Sequence, residues 1–261
     1  MSILRRMFLI TPLFLTCASW PQELKVAAAS NLTAVMEKLA PAFEKKSNAH
    51  VSVAVGSSGS FFAQIENDTP FDVFLSADRG YPETLVREHK AEGGSVTYYA
   101  RGRLALWISN SSSLQLRSAD GVLSGDLKPL TAPGVKKIAV AKPEIEPYGR
   151  AAVSVLQHYR IYDKVEPKLL LSDDVSQTAQ AAQSGNADVA FISYSLALSS
   201  AMRRSGNCLL LPDNSYAPIE QSGVVVSASK NKDLAGRFLQ FLTSPDGQAI
   251  LREFGFETPT K

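Results

Sequence analysis

The sequence contains few cysteines and few histidines, and both shortages restrict its chemistry. Only two cysteines occur in 261 residues, Cys17 and Cys208. Cys17 falls in an N-terminal segment that we expect to be removed, so Cys208 is left alone and no internal disulfide can form. The three histidines are scattered without metal-ligand spacing, which argues against a resident metal ion. The chain must therefore rely on a hydrophobic core, which its length allows.

An excess of charge of one sign is also missing. The chain has 27 basic and 25 acidic side chains. Removal of the N-terminal segment takes away Arg5 and Arg6 and no acid, which leaves 25 of each. A neutral protein has no electrostatic attraction to nucleic acid or to an anionic membrane. Neither is expected as a partner.

No hydrophobic run near the N-terminus approaches the roughly 20 apolar residues that span a bilayer. The run at 7–15 is interrupted by Pro12; two arginines precede it and small residues follow it. This order is typical of a secretory signal peptide. We predict that residues 1–19 are such a leader and that the mature protein is exported. Lipid attachment at Cys17 is disfavoured, because residues 14–16 are a poor lead-in to a lipidation site.

Familiar catalytic and phosphate-binding motifs are absent as well. The loop GSSGS (56–60) lacks the lysine and the spacing of a P-loop. It also fails the G-x-S-x-G pattern of a nucleophile elbow, because its fifth residue is Ser60. A nucleophile at Ser58 would further need a histidine and an acid delivered by the fold. We expect no enzymatic activity, and a secreted serine hydrolase stays as a minor alternative.

What the sequence does contain is a regular alternation of strands and helices. Strands are predicted at 24–29, 51–56, 72–77, 103–109, 136–141, 168–172, 188–194, 208–212 and 223–228. Helices are predicted at 32–46, 60–66, 82–91, 148–160, 176–185, 233–244 and 246–255. Such alternation indicates an α/β fold with mostly parallel sheets flanked by helices. The elements form two blocks without a flexible linker, which favours two compact lobes.

Four loops share one pattern, in which a strand ends, small polar residues follow and a helix begins. They are Ser30-Asn31, 56–60, 147–149 and 174–176. Each helix start offers N–H groups without intrahelical partners and the positive end of the helix dipole. Several such starts that meet at one point would form an anion site without charged side chains. Taken singly, each loop is explained by ordinary helix capping.

The motifs as a set resemble one family. They are AAASNL (27–32), GSSGSFFAQIE (56–66), PFDVFLSAD (70–78), PYGRAA (147–152), DDVSQTAQAAQSGNADVAFIS (173–193) and LQFLTSPDGQAILREFGF (239–256). In order and spacing they are similar to the periplasmic molybdate-binding proteins of ABC importers. The resemblance covers essentially the whole mature chain.

The resemblance implies a two-lobed type II periplasmic binding protein with a cleft between the lobes. The first lobe would comprise residues 20–101 plus 221–261, and the second residues 102–220. A hinge would close the lobes over the anion.

Carried over by motif, the resemblance also implies the ligand contacts. They are the hydroxyl and N–H groups of Ser30 and Ser58, the side chain of Asn31, and the backbone N–H groups of Tyr148 and Val175. Ser57 is a secondary candidate. Because only the backbone of Tyr148 is implied, we expect the Tyr148→Phe substitution to be nearly silent.

One contact departs from the pattern of some members, which place a tyrosine hydroxyl on the anion. The matching position here is Ser193, and Tyr194 follows one step later. A step of one residue along a strand reverses the side-chain direction. We therefore favour Asn31 as the fifth contact, with Ser193 and Tyr194 as alternatives.

Uncharged donors suit molybdate, a tetrahedral dianion that can only accept hydrogen bonds. A protonated oxyanion such as hydrogen phosphate would leave its proton without an acceptor. Tungstate is nearly the same size and should bind too, whereas sulfate is smaller. A carboxylate in contact with a dianion would repel it, so Asp78, near the cleft, is assigned to structural support.

Other ligands and partners follow from the same resemblance. The same fold could bind sulfate or thiosulfate instead, or a small organic carboxylate held by an arginine such as Arg150. The expected partner is the membrane permease of an ABC transporter. We expect a monomer that needs no cofactor, with molybdenum present only inside the oxyanion.

Overall fold

Two mixed β-sheets form the framework of the protein in the computed structural model, which describes residues 22–259. The strands are β1 (Gln22–Ala29), β2 (Ala49–Gly56), β3 (Val73–Ser76), β4 (Thr97–Gly102), β5 (Leu104–Ser109), β6 (Ser118–Ala119), β7 (Val122–Leu123), β8 (Ile138–Ala141), β9 (Leu169–Ser172), β10 (Val189–Ser193), β11 (Gly206–Leu210) and β12 (Ile219–Val225). The first sheet has the order β2-β1-β3-β12-β4, and the second β6-β7-β11-β5-β10-β8-β9. Each sheet, with the helices packed on it, is called a lobe below. The predicted leader and Cys17 lie outside the described residues.

Ten α-helices are present in the described part of the chain. They are α1 (Thr33–Ser47), α2 (Ser58–Glu66), α3 (Gly80–Arg87), α4 (Pro147–His158), α5 (Tyr162–Val165), α6 (Val175–Gln183), α7 (Tyr194–Ala197), α8 (Ser200–Ser205), α9 (Lys232–Thr243) and α10 (Pro245–Glu253). Short 3-10 turns occur at Ser30–Leu32, Lys128–Thr131, Glu166–Lys168 and Asp213–Ser215. The seven helices of eight or more residues all coincide with predicted helices, because their apolar residues recur at helical spacing. The three short ones were not predicted.

Strand direction changes within each sheet. In the first lobe β1 pairs in parallel with β2 and β3, whereas β12 is antiparallel to both β3 and β4. In the second lobe β8 is parallel to β9 and β10, whereas β5 is antiparallel to β10 and β11. The expected parallel pairing therefore applies to the strands joined by helices. Apart from the short antiparallel pair of β6 with β7, the antiparallel pairs all include a strand next to a crossing between the lobes.

Two neighbouring crossings connect the lobes. The chain leaves the first sheet at Gly102 and enters the second at Leu104. It returns between β11 and β12, where Ile219 pairs with Gly102. The pairing of β12 with β4 shifts register between Gln221 and Ser222. The two crossings therefore run side by side.

The first sheet is buried on both faces. Along β1, Leu24 and Val26 belong to one hydrophobic cluster and Ala27 to another, as expected from the alternation of side chains along a strand. The C-terminal helices α9 and α10 return to pack on this lobe, and Phe238 meets Phe43 of α1 edge to face at 5.0 Å between ring centroids. The second lobe has a cluster of its own around Trp107 and Phe191. Between residues 22 and 259, no helix is long and apolar enough to cross a membrane.

Candidate functional site

The four polar loops singled out in the sequence meet between the two lobes. Asn31 of the first loop approaches Tyr148 of the third, with 3.5 Å between Asn31 Nδ2 and Tyr148 Oη. In the second loop, the Gly59 N–H donates to the Ile145 carbonyl at 2.8 Å. Helix α6, which follows the fourth loop, contacts the Ser30–Leu32 turn. The structure thus brings together helix starts from both lobes.

Ser30 and Asn31 lie in a 3-10 turn between β1 and α1 and are almost fully buried. Neither Ser30 Oγ nor Asn31 Oδ1 has a hydrogen-bond partner in the described part of the molecule. An unpartnered buried polar group costs about 1–3 kcal/mol. Two of them side by side indicate a place that a polar ligand completes.

At the start of helix α2, Ser58 has donor groups available for a ligand, whereas the capping residue Ser57 does not. Ser57 is the cap: its Oγ accepts from the Ser60 N–H at 3.2 Å and lies 2.7 Å from Ser60 Oγ. The buried Ser58 Oγ accepts from the Ala77 N–H at 3.0 Å, and its own proton is not donated within the described residues. The Gly59 N–H donates to the Ile145 carbonyl and the Ser60 N–H to Ser57 Oγ. Among the first three N–H groups of α2, that of Ser58 is therefore the one available to a ligand. Ser58 therefore offers two donors, whereas Ser57 is engaged in the cap.

The second lobe contributes backbone donors. In α4 the first residue is Pro147, which has no N–H, and the first intrahelical bond starts at Arg150. The N–H groups of Tyr148 and Gly149 therefore lack helical partners. Helix α6 repeats the arrangement, because its cap Asp174 accepts from the Gln177 N–H at 2.9 Å and leaves the Val175 N–H without a helical partner.

Gly149 has a steric role at this point. A Cβ atom there would lie 2.2 Å from the Ala141 carbonyl oxygen. The absence of a side chain lets the start of α4 sit directly on the end of β8.

Ser193 and Tyr194, the alternatives to Asn31 as the fifth contact, form hydrogen bonds or packing contacts with other parts of the protein. Ser193 caps α7 by accepting from the Leu196 N–H at 3.3 Å, and its hydroxyl lies 3.0 Å from Ser195 Oγ. Ser195 in turn donates to the Asn31 carbonyl at 2.8 Å. The ring of Tyr194 lies against Gly255, where an added Cβ would be 2.6 Å away. Ser193 thus supports the first loop through Ser195, and Tyr194 packs against the C-terminal segment.

Sequence reasoning missed Glu146, the residue before α4. Its side chain is fully buried, and neither carboxyl oxygen has a hydrogen-bond partner of good geometry within the described residues, although the nearby Tyr148 N–H favours the ionised form of the carboxyl group. Burial, and then the nearby Asp174 carboxylate, raise the pKa of Glu146 to about 8. At neutral pH this group is therefore mostly a neutral acid. No local signal could have revealed it, since a glutamate in the loop PEIEP is expected to face water.

Gln221 and the phenol of Tyr148 were also missed. Gln221 lies in the returning strand β12 and is fully buried, and its Oε1 accepts from Asn31 Nδ2 at 3.0 Å. Burial raises the pKa of the Tyr148 phenol well above its ordinary value, so it is neutral at every physiological pH. The structure places this phenol across the cleft beside Asn31, a contact between residues that the motifs did not indicate.

Further contacts hold the lobes together at the rim of the cleft. The Arg150 guanidinium of α4 pairs with the Asp78 carboxylate of the first lobe. The Tyr81 hydroxyl of α3 donates to the Glu144 carbonyl at 3.3 Å. The lobes are therefore in a closed arrangement, and Asp78 neutralises the arginine that could otherwise clamp an organic carboxylate.

The chemistry of the site is that of a binder. Its unpartnered donors are hydroxyl and backbone N–H groups, which suit an anion that only accepts hydrogen bonds. No hydrogen bond joins Ser58 to a histidine in the described chain, and no group of His, Cys, Asp or Glu there could hold a metal ion. Two lobes that close over such donors define a solute-binding protein.

Comparison with known proteins agrees with this class. Residues 24–257 match the family described as bacterial extracellular solute-binding protein, and the chain belongs to that family. The chain is 34% identical to the molybdate-binding protein ModA of Rhodobacter capsulatus over 90% of this chain and 88% of that protein. It is 31% identical to ModA of Azotobacter vinelandii over 93% and 92%.

Solved structures show the same fold. The periplasmic molybdate-binding protein of Azotobacter vinelandii superposes with a TM-score of 0.81 at 33% identity, covering 91% of this chain and all of that one. The sulfate-binding protein SubI of Mycobacterium tuberculosis shares the fold alone, with a TM-score of 0.74 at 14% identity. The predicted fold class and family are confirmed. The protein is an extracytoplasmic solute-binding protein and not an enzyme.

Proposed function

We propose that the protein captures molybdate, and also tungstate, in the cleft between its lobes. The observation that carries the proposal is the buried set of uncharged donors contributed by both lobes. Ser30, Asn31 and Ser58 belong to the first lobe, and the Tyr148 and Val175 N–H groups to the second. Relatives that are about one-third identical and are named molybdate-binding proteins support the choice of ion.

The number of donors is sufficient for tight binding. Hydrogen bonds to a charged group contribute about 1.5–3 kcal/mol each, so about seven give roughly 10–20 kcal/mol. Ordering of the ligand and closure of the lobes offset part of this. Micromolar to nanomolar affinity requires about 8–12 kcal/mol, which lies within reach. Because the donors come from opposite lobes, the ion stabilises the closed form.

Selectivity follows from size and protonation. Tungstate matches molybdate in size and charge, so the two should bind alike. Sulfate is smaller, and a cage spaced for molybdate leaves some donors too far from its oxygens. Hydrogen phosphate carries a proton that needs an acceptor. The proposed contacts are all donors to the anion, so this proton would stay without an acceptor.

The remaining elements of the proposal concern transport. The loaded protein delivers its ion to the membrane permease of an ABC importer. It acts as a periplasmic monomer after loss of residues 1–19, without a lipid anchor at Cys17. The hinge separates a first lobe of residues 20–101 plus 221–261 from a second of residues 102–220.

A thermal-shift and calorimetry panel tests the proposal. Purified protein is titrated with molybdate, tungstate, sulfate, thiosulfate and phosphate at constant ionic strength. We expect the melting temperature to rise strongly with the first two ions and little with the others. If sulfate, thiosulfate or phosphate raises the melting temperature more than molybdate does, that ion and not molybdate is the ligand. No shift with any oxyanion would refute an oxyanion site.

A further inference from the structure

The Tyr148 phenol reaches from the second lobe into the first. The side chain is 1% exposed, and its Oη lies 3.5 Å from Asn31 Nδ2. A Cβ atom on Gly102, at the crossing between the lobes, would lie 2.2 Å from the same Oη. The phenol thus touches a proposed ligand residue and the hinge at once.

Only one of the two polar atoms of the Asn31 amide forms hydrogen bonds within the described chain. Its Nδ2 faces Gln221 Oε1 and Tyr148 Oη, while its own Oδ1 and the Gln221 Nε2 have no partner in the described chain. Rotating an amide by 180° exchanges its oxygen and nitrogen without moving the side chain. With both amides rotated, Gln221 Nε2 and Tyr148 Oη donate to Asn31 Oδ1.

This rotation changes what the site offers to a ligand. The Asn31 NH₂ group then occupies the unpartnered buried position, where an anion can accept from it. The remaining unpartnered atom becomes a carbonyl oxygen of Gln221, which is tolerated better than a buried N–H without a partner. The network is thus better satisfied with an anion bound.

We propose that the Tyr148 phenol and Gln221 are positioning groups that hold the Asn31 amide with its NH₂ group towards the bound anion. This assignment rests on the proposed function. It requires Gly102, whose lack of a side chain leaves room for the phenol when the lobes are closed.

The requirement for glycine at position 102 is one of space. The described glycines with positive φ are Gly94, Gly121, Gly185 and Gly255, so the backbone at Gly102 suits any residue. An alanine there would meet Tyr148 Oη at 2.2 Å and, at 2.9 Å, the Gln221 amide atom that becomes Oε1 after the rotation. Without the hydroxyl, its nearest atom on the ring would be Tyr148 Cζ at 3.2 Å, a distance that small shifts can relieve. The Gln221 amide is the end of a flexible side chain and can move aside.

A double-mutant cycle tests this geometry. Molybdate affinity and dissociation rate are measured for the wild type, Gly102→Ala, Tyr148→Phe and the double variant. We expect Gly102→Ala to weaken binding by about tenfold or more, mainly through faster dissociation, and Tyr148→Phe by about threefold to tenfold. The double variant should bind within about threefold of Tyr148→Phe alone, because removal of the hydroxyl makes room for the added methyl group.

The control is Gly236→Ala in α9, where an added Cβ meets nothing within 4 Å. It should bind as the wild type does. Additive losses in the double variant, or wild-type binding by either single variant, would overturn the assignment. The melting temperatures of the ligand-free proteins should stay close to that of the wild type, because a loss of affinity that followed a general loss of stability would not support the assignment. A wild type that binds no oxyanion would instead refute the proposed function, and the assignment with it.

Discussion

Replacement of Glu146 by glutamine tests whether one buried carboxyl group makes folding depend on pH. Burial, and then Asp174, raise the pKa of Glu146 from 4.5 to about 8, while the Tyr148 N–H and Arg150 oppose the shift. Asp78 of the first lobe adds to the increase. An acid of this kind keeps its proton in the folded protein at pH values where the unfolded chain has already released it. The free energy of unfolding therefore falls as the pH rises.

The size of the effect follows from these limits. The contribution of Glu146 is fully present below about pH 4.5 and is lost as the pH rises towards about 8. Each pH unit in this interval corresponds to about 1.4 kcal/mol, so the total is at most about 5 kcal/mol. The glutamine variant cannot ionise and avoids this loss. Relative to the wild type, it should gain at least about 2 kcal/mol between pH 4.5 and pH 8.5.

Urea unfolding at several pH values between these limits is the assay, with Glu144→Gln, an exposed glutamate of the same loop, as the matched control. The control should follow the wild type. Parallel stability curves for Glu146→Gln and the wild type would refute the reasoning, because they would show that Glu146 ionises equally in the folded and unfolded states.

The same variant separates the effect on folding from the effect on binding. An ionised carboxylate beside a dianion repels it, so the affinity of the wild type for molybdate should fall above about pH 8. The glutamine variant should keep its affinity there. If the affinity of the wild type stays constant through this range, Glu146 does not act on the bound anion.

Three further substitutions probe the site and its rim. Ser58→Ala should weaken molybdate binding by about tenfold or more, because a buried hydroxyl donor to a charged group is lost; unchanged calorimetric affinity would remove Ser58 from the site. Arg150→Ala breaks the ion pair with Asp78 across the cleft. Since the arginine side chain is 42% exposed, we expect only a few-fold faster dissociation in stopped-flow measurements, and complete loss of binding would mean that it contacts the ligand. Gly149→Ala should lower the melting temperature by several degrees, because its methyl group would overlap the Ala141 carbonyl; an unchanged melting temperature would show that α4 can shift freely.

Much of this fold could be predicted from the sequence because the signals are local. The apolar spacing of Val35, Leu39 and Phe43 predicts a helix within one residue of the observed bounds of α1. The small polar residues before α2 and α6 mark helix starts, and the observed caps are Ser57 and Asp174. The antiparallel pairs of the crossing strands were not predicted, because pairing partners lie far apart in the chain.

In the candidate site, too, features set by neighbouring residues could be predicted and contacts between distant residues could not. The helix starts near Ser30, Ser58 and Val175 could be located before any coordinates, because each is marked by a few neighbouring residues, and the resemblance to the family singled these positions out as proposed contacts. The side chains that surround them could not. Asn31 and Gln221 are 190 positions apart, and Asn31 and Tyr148 are 117 apart.

The sequence by itself thus determined the order of the elements, the helix starts and the neutral, donor-rich character of the loops, because these depend on neighbouring residues. Only the tertiary structure decided that Glu146 is buried, that the Tyr148 phenol crosses the cleft, and that a Cβ atom on Gly102 would overlap the Tyr148 hydroxyl. Burial and hydrogen-bond satisfaction depend on what the rest of the chain places around a group, and no short stretch of sequence contains that information.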